Sequence, residues 1–271
     1  MNREVDVLWL SVSPHLKCFD QRLLSQLVKA APVRLWEYCQ TVDEPCCVES
    51  VVTALHEYVR GRVALENSSG QHNCRVHLIG HGVSGVVGLL YARRYPQWVA
   101  SLTLLSVGAM PAVNWQAHYY ALRQLLPCSR EIILAQMTRL LFGQQPVRFA
   151  KALTQLLARD LDSNLTLHSL AHHTQISPGG VEVPMLVCSG ASDSIMAAQK
   201  QTPWEDWMKA GDRLWQCPGG HHFFHFEHAA VVANRIADYW QQALVGRSLS
   251  NSGLIGATEQ PLIYPAIRET R

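Results

Sequence analysis

Val5 to Val12 is an almost unbroken apolar run, interrupted by Asp6, and it predicts a strand buried on both faces of a parallel sheet. After the corner Ser11-Val12-Ser13-Pro14-His15, Phe19, Leu23, Leu24, Leu27 and Val28 recur at helical spacing. Val33 to Trp36 is a second short strand, so a β-α-β unit opens the chain. Tyr38 to Cys47 is polar and reads as a loop, and Val48 to Val63 returns to helical spacing through Val51, Val52, Leu55 and Val59. Asn67 to Asn73 is a polar connection. A short apolar run from Cys74 to Ile79 then enters the glycine-rich corner Gly80-His81-Gly82-Val83-Ser84-Gly85. The residues beyond stay apolar through Leu89, Leu90 and Tyr91 until Pro96 stops them. The pattern is strand, sharp turn, helix, with another strand at Val99 to Val107.

Beyond Gly108 the strand rhythm is lost. Residues 111–178 contain helical candidates at Tyr119 to Leu126, Arg130 to Leu141 and Val147 to Leu157. Strands resume at Pro184 to Cys188 and Asp212 to Cys217, and Phe224 to Trp240 predicts a closing helix. Residues 1–110 and 179–245 therefore form the expected core, 111–178 a helical insertion and 246–271 a tail. The tail is small and polar except at Leu262-Ile263-Tyr264, and reads as extended or loosely packed, with a partner contact as one use of the patch.

Composition narrows the function classes. A chain of 271 residues with 48% hydrophobic and 16% charged residues can bury a sizeable core. A formal charge of +2 without a dense Lys/Arg cluster gives no case for nucleic acid. Arg93 and Arg94 complement the dipole at the end of a predicted helix. The eight cysteines form no C-x-x-C pair, Met1 to Asp6 lacks a signal peptide's apolar run, and no stretch is long and apolar enough to span a bilayer. A cytoplasmic setting is the expectation.

Candidate chemistry lies at the ends of predicted strands, the usual place for a site in an open parallel sheet. The corner at Gly80 to Gly85 resembles the Gly-His-Ser-x-Gly-Gly nucleophile elbow common in the alpha/beta-hydrolase family. Val187-Cys188-Ser189-Gly190-Ala191-Ser192-Asp193 resembles that family's Gly-x-x-Asp turn. Gly219-Gly220-His221-His222-Phe223-Phe224-His225-Phe226-Glu227 resembles its histidine loop. The resemblance spans about residues 5 to 242 and implies an α/β protein of the alpha/beta-hydrolase fold: a mainly parallel sheet flanked by helices, with a helical cap in the interval 111–178.

Carried over position by position, the nucleophilic serine falls on Gly82, which has no atom able to form an acyl intermediate. Ser84 comes two positions late, inside the predicted helix, where small residues permit close packing on the adjoining strand. The resemblance makes Asp193 the acid and His222 the histidine, with Glu227 five residues on. His221 replaces the usual preceding glycine and is a second candidate for the same role. In the first loop the backbone N–H of Ser13 falls at the oxyanion-donor position, and His15 lies beside it. Metal binding by His221, His222, His225 and His228 competes with aromatic packing among Phe223, Phe224 and Phe226, and adjacent His172-His173 lack further ligands at metal spacing. No cofactor and no metal are implied.

Two functions follow. One is a catalytically silent alpha/beta-hydrolase-like protein that binds a small apolar ligand or a protein partner. The other is an atypical carboxylic-ester or thioester hydrolase using Ser84, or a water activated by His222 and Asp193.

Overall fold

The computed structural model describes residues 6–39, 43, 47–68, 75–111, 114–162, 176–197 and 203–252. Six strands form one wholly parallel sheet: β1 (Val7–Ser11), β2 (Val33–Glu37), β3 (Val76–His81), β4 (Val99–Leu105), β5 (Met185–Gly190) and β6 (Arg213–Cys217). Their order is β2-β1-β3-β4-β5-β6. β1, β3 and β4 are central, and β3 pairs with both of its neighbours, Leu78 lying opposite Leu8 and Leu102.

Side chains alternate across the sheet, which splits each apolar strand between two cores. Leu8, Leu10, Leu78, Leu102 and Leu104 face α2 (Val48–Ser68) and α3 (Gly82–Arg94), meeting Val51, Val52, Leu55, Val86 and Leu89. Val7, Trp9, Ile79 and Leu186 enter the opposite core with Leu23 and Leu27 of α1 (Gln21–Leu27) and Val232, Ile236 and Trp240 of the last helix. Each fully buried Leu or Val contributes roughly 1.5–3 kcal/mol relative to exposure. The continuous apolar runs are thus the signature of a sheet covered on both sides.

Between β4 and β5 the described residues hold three helices: α4 (Trp115–Leu125), α5 (Arg130–Phe142) and α6 (Val147–Leu161). Asn114 Oδ1 caps α4 by accepting from the Ala117 N–H at 2.8 Å, and Ser129 starts α5 in the same way. Their apolar faces form a third cluster in which Tyr119, Met137, Leu141, Phe142 and Leu157 pack on Leu16, Phe19, Ile195 and Phe223. Those last four residues follow the ends of β1, β5 and β6, so the helices sit on loops at the carboxyl end of the sheet.

Several predicted boundaries change. α2 continues past Val63 to Ser68, because Ala64, Leu65 and Glu66 favour helix. A short helix α7 (Ser194–Ala197) follows β5, and the predicted closing helix is divided into α8 (Phe224–Glu227) and α9 (Ala229–Ser252), separated by His228 at φ −111° and ψ 35°. α9 includes residues 246–252, which the sequence reading assigned to an extended tail; Gly246 costs a helix only about 1 kcal/mol and does not end it. Leu262-Ile263-Tyr264 and His172-His173 lie outside the described residues. None of the described helices is long and apolar enough to cross a membrane.

Candidate functional site

The site begins at the junction of β3 and α3. His81 is the last extended residue, and Gly82 turns the chain into the helix with φ +52°, a conformation that glycine adopts without steric cost. A Cβ on Gly80 would lie 2.6 Å from the Gly85 nitrogen, and one on Gly85 would lie 2.7 Å from the Gly80 oxygen. The helix start is therefore pressed against the strand end. At Gly82 the opposite holds, with nothing within 4 Å of where a Cβ would stand.

Ser84 is the third residue of α3 and is buried. Its Oγ accepts from the Val12 N–H at 3.1 Å, tying the helix start to the end of β1. Ser13 and Ser84 both line a cavity of about 30 Å³ beside the turn, together with Ser11, His81 and Gly82. His15 is exposed and is not among the lining residues.

Asp193 and His222 are brought together from the loops after β5 and β6. The His222 Nδ1–H donates to Asp193 Oδ2 at 3.0 Å, with both side chains buried. Asp193 also begins α7, its Oδ1 accepting from the N–H groups of Ile195 and Met196 at 3.0 and 3.1 Å. Burial pushes the Asp193 carboxyl up, but the neighbouring His222 charge and hydrogen bonds from His222 and the Met196 N–H hold it below the ordinary aspartate value. The other ring nitrogen, His222 Nε2, is buried and has no hydrogen-bond partner among the described residues. Neither Asp193 nor His222 lines the cavity.

His221 is directed elsewhere. Its ring lies against Gly143 at the end of α5, and Nδ1 is 3.8 Å from Glu227 Oε2. Glu227 in turn accepts from Gln145 Nε2 at 2.9 Å, and Phe223 stacks on Phe142 with centroids 4.7 Å apart. The histidine loop is thus packed against the end of α5.

Several functional groups escaped the sequence reading. Ser106, just after β4, holds φ +50°, unusual for a residue with a side chain, and its Oγ–H donates to the His222 carbonyl at 2.7 Å. That same carbonyl accepts from His81 Nε2–H at 3.1 Å. A second, part-buried pair lies nearby: the His225 Nε2–H donates to Asp20 Oδ1 at 3.1 Å, while Trp9 Nε1–H donates to Asp20 Oδ2 at 3.0 Å. The His81 ring lies 4.5 Å from that of His225 and 5.1 Å from that of His222. Burial, with His225 and His222 adding repulsion, lowers the His81 pKa well below its ordinary value, so the ring is neutral at pH 7.

His222 and His225 thus turn to different carboxylates rather than to a shared centre, and among the described residues no three His, Cys, Asp or Glu side chains form a metal-binding group. The only sequence signals available for the missed groups were Asp20 opening a predicted helix and Ser106 closing a strand.

Comparison with known proteins places this geometry. The chain is 40% identical over 241 residues to an uncharacterized protein of Nostoc sp., covering 89% of this chain and 92% of that one. It is also 40% identical over 252 residues to an uncharacterized protein of Synechocystis sp., covering 93% and 96%. Among solved structures, a candidate lipase from Acinetobacter baumannii superposes with a TM-score of 0.67 at 16% identity, covering 91% of this chain and 86% of that one, a likeness of fold. The sequence model of the alpha/beta hydrolase family matches residues 40–235, and with the six-stranded parallel sheet flanked by helices, the chain belongs to that family.

Proposed function

We propose that this is a catalytically silent alpha/beta-hydrolase-like protein that binds a small ligand beside the β3–α3 turn. In this reading Gly82 takes the place of the nucleophilic serine, residues 1–110 and 179–245 form the core, and the helices of 111–178 act as its cap. The turn carries the reading: the residue at φ +52° above the start of α3 has no side chain, so no oxygen stands there to attack a carbonyl. Ser84 does not replace it. Its Oγ is buried two residues further on and is engaged with the Val12 N–H, and neither residue of the His222–Asp193 pair that would have to activate it lines the cavity. Leu16, Trp115 and Phe223 supply apolar wall to that cavity, which has room for about two water-sized groups.

A reactive-serine fluorophosphonate probe combined with a panel of activated esters and thioesters tests the proposal. The expected result is no adduct and no burst. A covalent adduct on Ser84, found by mass spectrometry, would overturn it.

One observation favours a second reading, hydrolysis by activated water. With Nδ1–H committed to Asp193, His222 Nε2 is the acceptor nitrogen of the ring, the form that takes a proton from water. Steady ester or thioester turnover without an adduct, abolished in His222→Gln, would establish this reading in place of the first.

A further inference from the structure

β2 is one edge of the sheet, and among the described residues no strand pairs with its outer side. Its register with β1 fixes which backbone groups point outward. Pro32 O accepts from the Val7 N–H, and the Tyr38 N–H donates to Ser11 O, so residues 32, 34, 36 and 38 turn their backbone groups toward β1. Val33, Leu35 and Glu37 present theirs to the open edge, where they have no hydrogen-bond partner among the described residues.

An unpaired strand edge is a template for another strand, and proteins commonly blunt one with proline, lysine or a bulge. β2, with the sequence Val-Arg-Leu-Trp-Glu, has neither proline nor lysine and runs beside β1 without a break in register. Leu35 at its centre is 46% exposed. Val33 packs on the α1 side of the sheet, and Trp36 on the α2 side, so Leu35 and Glu37 share the first face and Arg34 the second.

The edge is complementary to itself in one register. In an antiparallel pair of β2 strands centred on Leu35, Leu35 meets Leu35 and Val33 meets Glu37, so every outward residue exchanges two backbone hydrogen bonds with its opposite number. Arg34, its charge already balanced by Asp6 at 3.1 Å, then lies opposite Trp36 rather than another charge. Centring the pair on Arg34 or on Glu37 sets two like charges directly opposite, which is destabilising. Centring it on Val33 leaves Leu35 and Glu37 with no strand residue to meet, and centring it on Trp36 does the same to Val33. We infer that the chain associates with a second copy of itself through β2, antiparallel about a two-fold axis at Leu35, so that one sheet runs through both molecules. This surface is separate from the cavity, and the association stands or falls independently of the ligand-binding reading.

The test is sedimentation equilibrium of the full chain across the micromolar range, with amide exchange followed at Leu35 and Glu37. A reversible monomer–dimer equilibrium is expected, with both amides slowing as the dimer fills. Leu35→Lys and Leu35→Glu each put like charges across the axis and should weaken association by about tenfold or more, whereas an equimolar mixture of the two, with lysine opposite glutamate, should recover it. Leu35→Pro removes an outward N–H and no bond to β1, and should also weaken the dimer. A wild-type chain that stays monomeric overturns the inference without recourse to any variant. So do amides of Leu35 and Glu37 already slow in the dilute monomer, which would show the edge covered by another part of the same chain. A dimer indifferent to Leu35→Lys, or a mixture that fails to associate while each variant remains folded by circular dichroism, would overturn it as well.

Discussion

The two histidine–aspartate pairs look alike in hydrogen bonding and differ in what holds them. Asp193 receives His222 and two backbone N–H groups at the start of α7, and the His222 carbonyl is itself held by Ser106 and His81. Among the described residues Asp20 receives two side chains, His225 and Trp9, and it lines the cavity. The pair that matches the family's catalytic motifs is locked into the backbone and lies off the cavity. The pair with no motif to announce it has the group a ligand can reach. Resemblance in sequence locates the sheet-end loops, but accessibility decides which acid in them is free to act.

The largest effects should separate the pairs by stability. Asp193→Ala leaves His222 buried without its carboxylate and strips the first turn of α7 of its acceptor, and it is expected to cost about 3–5 kcal/mol in urea unfolding. Asp20→Ala should cost about 1–3 kcal/mol, because water from the cavity side can partly replace the lost carboxylate. Equal losses would erase the distinction between a locked and an accessible pair.

The pH dependence sharpens the same contrast. Asp193 is held below its unfolded pKa, so its contribution to stability is present above the unfolded value near 3.8 and is lost as pH falls through the folded one. Asp160, behind Gln116 on the cavity side, has the opposite sign. Its folded pKa of about 6 lies above the unfolded 3.8, so the folded state holds the proton more tightly and stability falls as pH rises from about 4 to 6. Above that window the penalty is at most about 3 kcal/mol, and Asp160→Asn should flatten this part of the stability profile measured by thermal or urea unfolding. An unchanged slope between pH 4 and 6 would contradict the assignment.

The fold was legible because a covered parallel sheet needs strands apolar on both faces, and Val7 to Ser11, Val76 to His81 and Val99 to Leu105 announce themselves as such. Asp193 and His222 were legible because each sits in a short local motif next to a strand end. Asp20 and His225 were not, since 205 residues separate them and no periodicity links a helix-opening acid to one histidine of four. Gln116 was equally silent: its meaning comes from Asp160 taking its amide nitrogen across two helices. The end of α9 was missed for a different reason, a single glycine being too weak a signal to stop a helix.

A smaller effect tests how firmly the histidine loop is held. Gly143 has φ +67°, and an added Cβ would stand 2.4 Å from the His221 ring. Gly143→Ala should cost about 1–3 kcal/mol by forcing that ring, and the loop bearing His222, away from α5. Faster amide exchange in residues 221–224 would accompany it if the loop is rigid in the native protein. A neutral substitution would show that the loop yields, contrary to its description as locked.

The smallest stability effect is expected at Gly82. With no atom within 4 Å of the added Cβ, Gly82→Ser meets no steric obstacle, and its cost should be about 1–2 kcal/mol, from the left-handed conformation alone. Its chemical consequence bears on the whole comparison. A serine oxygen at this turn would test whether His222, although off the cavity, stands where it can take the proton, and whether the Ser11-Val12-Ser13 loop can still stabilise an oxyanion. The Val12 N–H is already engaged by Ser84, and His81 and Ser106 fix the His222 loop by its carbonyl. The expected outcome is therefore a modest gain at most in hydrolysis of a small activated ester, with an acyl adduct on the new serine detectable by mass spectrometry. A rate approaching that of an efficient esterase would show that the locked pair is an intact catalytic pair lacking only its nucleophile, and that its distance from the cavity is no barrier to chemistry.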